Sequence, residues 1–539
     1  MLSNSNFNFR ASLGGYLGEV NACLADLQEH NVMARIWQKD HTVWKPEPAE
    51  ITDRLGWLSV TELMRQQIAS LISFAEEIKS AAFDHVVLLG MGGSSLGPEV
   101  MRQVLGSAPG YPQFIMLDST VPAWVQQVTE AIDPARSLFL VSSKSGTTIE
   151  TVSLYQYFRH LVGQALGKEK SGQNFVAITD PGTPLAELAE REFCRAFLNS
   201  ADVGGRFSVL SYFGLVPAVL MGIDLARLLD RVDFMRQRCA ANISAPESDA
   251  AQLGAIVATL TLKGRDKLTI ISSPAIAGFG LWVEQMIAES TGKEGKGVIP
   301  IAGEPLVEPE HYGDDRLFIC LRLAGDDNSA IDNTMTKIEA AGQPVVTLEM
   351  QDGYDLGAEF FRWEFATAIA GAILGIHPFN QPGVQQAKNF TRHALAEYQT
   401  SRRLPQVKAA LSIEELLAQI RPGDYLAIMA YLLQTPEADK VLDELRRKIM
   451  RQYHIPVAMG YGPRYLHSSG QLHKDGPDRG LFLQFTADHE KDLSIPGEPY
   501  TFAVLADAQA IGDFETLKSL GRRIIRIHLG RGGADSIKK

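Results

Sequence analysis

Short, wholly apolar runs alternate along this chain with longer stretches of helical periodicity. Residues 85–89, 114–117, 138–141 and 175–178 are such runs, each separated from the next by a helix-length segment. An apolar run of this length reads as a strand buried on both faces, and strand–helix alternation predicts a parallel α/β sheet. Upstream, residues 1–80 read as mixed and helical. Helical spacing is clearest over 61–78, and 37–48 reads as an irregular segment with two prolines. An apolar helix-like run covers 209–221, and the composition turns polar at 244–249, which suits a domain boundary. The alternation then resumes, with strands predicted at 268–271, 317–321 and 345–348 and helices at 280–289 and 363–374. A third block begins near Thr400. It has helices around 413–420 and 438–453, strands at 457–459, 481–485, 502–505 and 524–527, and a tail at 531–539 that reads as disordered.

Two polar turns interrupt the apolar pattern at the ends of predicted strands. One is Gly90-Met91-Gly92-Gly93-Ser94-Ser95-Leu96-Gly97-Pro98; the other is Ser142-Ser143-Lys144-Ser145-Gly146-Thr147-Thr148-Ile149-Glu150-Thr151. Strand, small-residue turn, helix is the order in which a parallel sheet presents an anion site. Glycines such as Gly92 and Gly93 let the backbone approach, amides at the helix start point outward, and hydroxyls add donors. The first turn fits neither G-x-G-x-x-G nor the Gly-Lys-Ser/Thr pattern of a P-loop. After the second turn, Ile149, Val152, Tyr155, Phe158 and Val162 recur at helical spacing, so its hydroxyls fall at a helix N-terminus.

Composition narrows the class. The chain has 539 residues, enough for two or three domains, and 45% of them are hydrophobic. A net charge of −12 and a pI of about 5.6 argue against nucleic acid or an anionic membrane surface as the main partner. An anionic small substrate would need local positive charge. Four cysteines (Cys23, Cys194, Cys239, Cys320) have no metal-ligand spacing and read as reduced thiols. The first eight residues show neither a basic nor an apolar leader pattern, and no apolar run is long enough to span a membrane. The expectation is a cytoplasmic protein.

Several residues could do chemistry. Glu289 ends an apolar helix, in Glu289-Ser290-Thr291-Gly292-Lys293. A carboxylate at a helix C-terminus is mildly unfavourable there, which hints at use as a base. Arg206 follows Gly204 and Gly205, where a ligand could come close to the backbone, and a guanidinium suits a phosphate or a developing oxyanion. Gln381-Pro382 marks a helix start, with Lys388 two turns on. His467 and His473 lie in Leu466-His467-Ser468-Ser469-Gly470-Gln471-Leu472-His473, six apart, a spacing that does not suit a shared metal. Each of these residues alone also fits an ordinary surface or core position. Together, on a sheet with two phosphate-type loops, they point to a catalytic cleft.

The stretches Gly90–Pro98, Ser142–Thr151, Gly204–Ser208, Glu289–Lys293 and Gln381–Lys388, in this order over about residues 85–390, resemble phosphoglucose isomerase of the sugar-isomerase (SIS) superfamily. The stretch 467–477 and the long C-terminal block resemble the isomerase half of bacterial transaldolase/phosphoglucose isomerase fusions. The resemblance implies two SIS-type α/β/α domains with parallel sheets, spanning 1–245 and 246–400, and an additional C-terminal α/β block, 401–539, packed on the second. It implies a homodimer acting on a sugar phosphate, with no metal or redox cofactor. Ser94, Ser143, Ser145 and Thr148 would hold the phosphate, Lys144 would add charge and Gln381 would close the site. Gly92, Gly93 and Gly205 would bring the loop backbone close. Glu289 would shuttle a proton between C2 and C1, Arg206 would stabilise the cis-enediolate, and a histidine with Lys388 would assist ring opening. In the family pattern that histidine precedes the Gln…Lys helix and comes from the neighbouring subunit. Here His467 follows the helix, so either the second domain is rearranged or another histidine serves, His473 being the spare. A non-catalytic sugar-phosphate sensor and an isomerase that also takes mannose 6-phosphate are the competing readings.

Overall fold

Three largely parallel sheets organise the structure, a computed structural model that describes residues 2–4, 9–407 and 412–538. The absence of a leader pattern was read on residues 1–8, of which Met1 and residues 5–8 lie outside the described residues. An N-terminal pair, β1 (Leu2–Asn4) and β2 (Phe9–Ser12), precedes the first sheet. That sheet holds β3 (His85–Gly90), β4 (Gln113–Leu117), β5 (Ser137–Ser142), β6 (Phe175–Thr179) and β7 (Arg195–Leu198). Its order is β4-β3-β5-β6-β7, with every pair parallel. The second sheet holds β8 (Lys267–Ser272), β9 (Ile299–Ala302), β10 (Arg316–Leu323) and β11 (Val345–Met350) in the order β1-β2-β11-β10-β8-β9. β2 runs antiparallel to both β1 and β11, and the other pairs are parallel. The third sheet, β12 (Tyr425–Tyr431), β13 (Val457–Tyr461), β14 (Gly480–Thr486) and β15 (Arg523–His528), is ordered β13-β12-β14-β15 and is wholly parallel.

The strands form where the apolar runs predict them because burial on both faces needs no polar alternation. Val86, Val87, Leu88 and Leu89 of β3 are all fully buried. Six helices frame the functional region: α1 (Leu96–Leu105), α2 (Ile149–Leu166), α3 (Phe279–Thr291), α4 (Leu356–Leu374), α5 (Val384–Ser401) and α6 (Phe502–Ser519). α4 is apolar almost all round and is buried against helices Leu225–Arg238 and Asp249–Leu262. Among the described residues, no helix is long and apolar enough to cross a membrane.

Three expectations are corrected. Residues 502–505, read as a strand, are the first turn of α6. The Thr501 side chain accepts from the Val504 amide as an N-cap, and the apolar positions continue around the whole helix. The tail read as disordered forms 3-10 turns over Gly530–Lys538, with Ala534 and Ile537 packed on the core of the third sheet; Lys539 lies outside the described residues. The third block also has a strand the pattern did not predict. β12 is buried along its whole length and lies between β13 and β14.

In the first sheet the chain leaves β3, adds β4 on one side, and returns to add β5 on the other. The crevice outside the carboxyl ends of β3 and β5 is thus a topological switch point, the usual ligand position in an open α/β sheet. Both polar turns sit there, one following each strand.

Candidate active site

The two turns are tied together at the switch point. Ser142 Oγ donates to the Ser94 carbonyl at 3.1 Å, at the end of β5. In the second turn Ser143 and Thr148 share a hydrogen bond between hydroxyls of 2.9 Å, and Ser145 and Thr147 share one of 3.0 Å. Gly146 is left-handed, with φ 66°, and the hydroxyls wrap the N-terminus of α2. Lys144 Nζ is paired with Asp180 and also donates to the Ala201 carbonyl at 3.2 Å, so its charge is already partnered at the rim.

A third loop closes on the first. A Cβ on Gly93 would collide with the Gly205 carbonyl oxygen, and Ser208 Oγ reaches the Gly93 carbonyl at 3.4 Å. Only glycine at 93 allows these two backbones to touch. Gly93→Ala is expected to cost about 1–3 kcal/mol, as an overpacked site does, seen as a lower urea midpoint of unfolding. An unchanged midpoint would show that the loops are free to part. Gly92, at φ 55°, makes room for the loop that carries His467.

Arg206 extends from the third loop into the interior. Its Nε donates to Ser290 Oγ at 2.7 Å, Nη1 to Glu289 Oε2 at 3.5 Å, and Nη2 to the carbonyls of Pro378 and Asn380. An aromatic series, Trp57–Phe207–Phe379–Trp44, fixes the backbone on either side of it. Burial lowers the Arg206 pKa, against the opposing pull of Glu289.

Glu289 lies near the end of α3, 4% exposed. Gln381 Nε2 donates to its Oε2 at 3.0 Å and Gln285 Nε2 at 3.5 Å. Burial raises its pKa, outweighing Arg206, His467, Lys293 and the Gln285 hydrogen bond. A carboxyl of raised pKa, aimed at a guanidinium, is suited to accept and return a proton.

His467 arrives from the third sheet, in a turn after β13. Its Nε2 is 2.8 Å from Glu150 Oε1, the carboxylate at the start of α2. Burial alone would lower its pKa, but the charge and hydrogen bond of Glu150, and the charge of Glu289, raise it. Glu150 moves the other way: burial opposes its charge, and His467 brings its pKa below the ordinary value. The His467 carbonyl accepts from Gln285 Nε2 at 2.8 Å, so the two proton-transfer candidates share one amide side chain. Lys388 is exposed on α5 and close enough for its charge to lower the His467 pKa.

The chain therefore brings Glu289, Arg206, Gln381 and His467 together beside the Gly90–Pro98 turn, and Lys388 within electrostatic reach. His473 is elsewhere. It is packed among Tyr425, Tyr465 and Phe482, and burial pushes its pKa down to about 3, so it is a core histidine rather than a spare for His467. The turn after β13 brings His467 to Glu150 of α2 from within the same chain, whereas the family resemblance implies a histidine from a neighbouring subunit.

Sequence reasoning missed Glu150, Gln285, Lys293 and His377. Lys293 Nζ donates to the His377 carbonyl at 2.7 Å, and burial followed by the Arg206 charge holds its pKa well below the ordinary value. His377 Nδ1 accepts from the amides of Phe379 and Asn380, which leaves Nε2 to donate to the Ala49 carbonyl and sets the turn before Gln381. Only Gln285 carried a signal, one helical turn before Glu289.

Residues 57–298 match the family model of phosphoglucose isomerase. The chain is similar to glucose-6-phosphate isomerase of Rubrobacter xylanophilus, 28% identical over 376 residues, 61% of this chain and 86% of that one. It is 26% identical to glucose-6-phosphate isomerase of Staphylococcus saprophyticus over 381 residues, 62% and 86% of the two chains. Among solved structures, a hypothetical protein from Thermus thermophilus aligns with a TM-score of 0.60 at 25% identity, covering 72% of this chain and all of that one. The fold is also that of a glucose-6-phosphate isomerase from Chlamydia trachomatis, with a TM-score of 0.60 at 18% identity over 73% of this chain and 89% of that one.

Proposed function

We propose that this chain, which carries the sequence of the phosphoglucose isomerase family over residues 57–298, interconverts glucose 6-phosphate and fructose 6-phosphate. The observation that carries the reading is the meeting of Glu289, Arg206 and the His467–Glu150 pair beside the hydroxyl-lined switch point. The curated relatives, each spanned over 86% of its length, support it.

The phosphate of the sugar rests on the hydroxyls of Ser143, Ser145 and Thr148 and the amides at the start of α2, with Ser94 across the crevice. Binding this remote group supplies energy for orienting the reacting carbons. Ring opening needs a proton for the ring oxygen and loss of the anomeric hydroxyl proton; His467, held as an imidazolium by Glu150, provides the first, and solvent takes the second. Lys388 adds positive charge nearby. Glu289 then removes the proton on C2 of the open aldose. The charge that develops on O1 is met by Arg206, the O2 hydroxyl proton passes to O1 in the cis-enediolate, and Glu289 returns its proton to C1. No atom is gained or lost, and neither carbon needs an external oxidant. A carboxylate base with an electrophilic partner is the pattern seen in triosephosphate isomerase. Gln381, on Glu289 here, caps the cleft. A cytoplasmic location and a homodimer go with this reading as expectations, although the supply of His467 does not require a second subunit.

A coupled assay that follows glucose 6-phosphate formed from fructose 6-phosphate, in the presence of a chelator, tests the proposal. Chelator-resistant turnover is expected. Binding of the sugar phosphate without turnover would move the assignment to a sensor.

A further inference from the structure

α6 belongs to the C-terminal block, outside the family-matched residues, and the mechanism above makes no use of it. Yet Gln509, near its middle and 3% exposed, donates from Nε2 to Glu150 Oε1 at 2.6 Å. That is the same oxygen that His467 Nε2 contacts. Thr120 Oγ1 donates to Gln509 Oε1 at 2.7 Å, which fixes which end of the amide faces the carboxylate. Two donors on one oxygen hold the carboxylate against rotation, and the donors come from different elements of the C-terminal block: one from the third sheet's turn, one from α6.

A second residue of α6 acts on the other side of the same turn. Asp513, one helical turn beyond Gln509, accepts from Tyr465 Oη at 2.6 Å and pairs with Lys474 Nζ at 2.7 Å. Tyr465 and Lys474 flank His467 in sequence. Gly512, between the two α6 residues, lets α5 come close, since a Cβ there would collide with Thr391 Oγ1. One helix thus holds the acceptor of His467, the turn that carries it and the helix of Lys388.

Resting on the isomerase reading, we propose that Gln509 is a positioning residue: it fixes the Glu150 carboxylate so that His467 stays aligned and protonated for ring opening. The charged groups facing His467 are Glu150 from α2, Glu289 from α3 and Lys388 from α5. Loosening Glu150 weakens the interaction that favours the imidazolium, so the alkaline limb of the kcat profile should move to lower pH.

Gln509→Met keeps the shape of the side chain and removes both hydrogen bonds. With fructose 6-phosphate, kcat is expected to fall about tenfold, within the cost of misaligning a reacting group, with KM little changed and the alkaline limb moved to lower pH. Thr120→Val, which releases only the far end of the amide, should move the limb in the same direction by less, and it is the decisive variant if Gln509→Met fails to fold. An alkaline limb unchanged in the folded variants, whether or not kcat falls, overturns the positioning role while leaving the isomerase standing. An absence of turnover in the unaltered protein overturns both.

Discussion

Glu289→Gln is expected to lower turnover of fructose 6-phosphate by about 10²–10⁴-fold, the contribution of a positioned general base. The amide keeps the volume of a side chain that is almost wholly buried and can still accept from Gln381 and Gln285. What it loses is the basicity that takes the C1 proton of the open ketose. Arg206 keeps its bonds to Ser290 Oγ and to the carbonyls of Pro378 and Asn380, so the loop should stay in place and KM should change little. The unaltered enzyme carries a further signature. Burial raises the Glu289 pKa, and the active form is the carboxylate, so activity should rise with pH through a value above the ordinary glutamate range. That limb should disappear in the variant. Unchanged turnover would sink the assignment of Glu289 as the base.

The parts of this site that were legible in the sequence are those whose chemistry is local. A polar, small-residue turn between an apolar run and a helical repeat reveals itself within ten residues, and the Gly90 and Ser142 turns both fall at the switch point. Glu289 and Arg206 were legible for the same reason, each standing at a break between element and loop. Glu150 was not. An acid in the first turn of a helix is what the helix dipole favours anyway, and its partner His467 is 317 residues away. Fold errors had a similar origin. The β12 sequence Tyr-Leu-Ala-Ile-Met-Ala-Tyr contains good helix formers, and short apolar runs fit a buried helix as well as a strand. Residues 502–505 are the converse case, with β-favouring residues placed in a helix by the Thr501 cap and by burial on every side. In both, tertiary burial outweighs local preference.

His467→Ala separates ring opening from isomerisation, and its expected effect depends on the substrate. Raised by the Glu150 carboxylate against the effect of burial, the His467 pKa lies above the ordinary histidine value. The imidazolium therefore persists to higher pH than that of an ordinary histidine. Its stabilisation is complete below the unfolded-state pKa and is lost as pH rises through the folded value, and the same ionisation sets the alkaline limb of activity on cyclic substrate. Removing the imidazole should slow turnover of cyclic fructose 6-phosphate by about 10²–10³-fold, within the range for loss of a general acid. Glu289 and Arg206, joined to each other and to Gln381 and Ser290, do not depend on the imidazole for their geometry. A substrate that needs no ring opening should therefore escape most of the loss. 5-Deoxyfructose 6-phosphate has no O5 to close the ring, and exchange of its C1 proton with solvent deuterium reports on Glu289 directly. His467→Ala should leave that exchange within a few-fold of the unaltered enzyme. Equal losses on the cyclic and the acyclic substrate would place His467 in the proton transfer between carbons instead. Losses on neither would return the ring-opening role to Lys388 or to solvent, and leave the His467–Glu150 pair as a contact between α2 and the turn after β13.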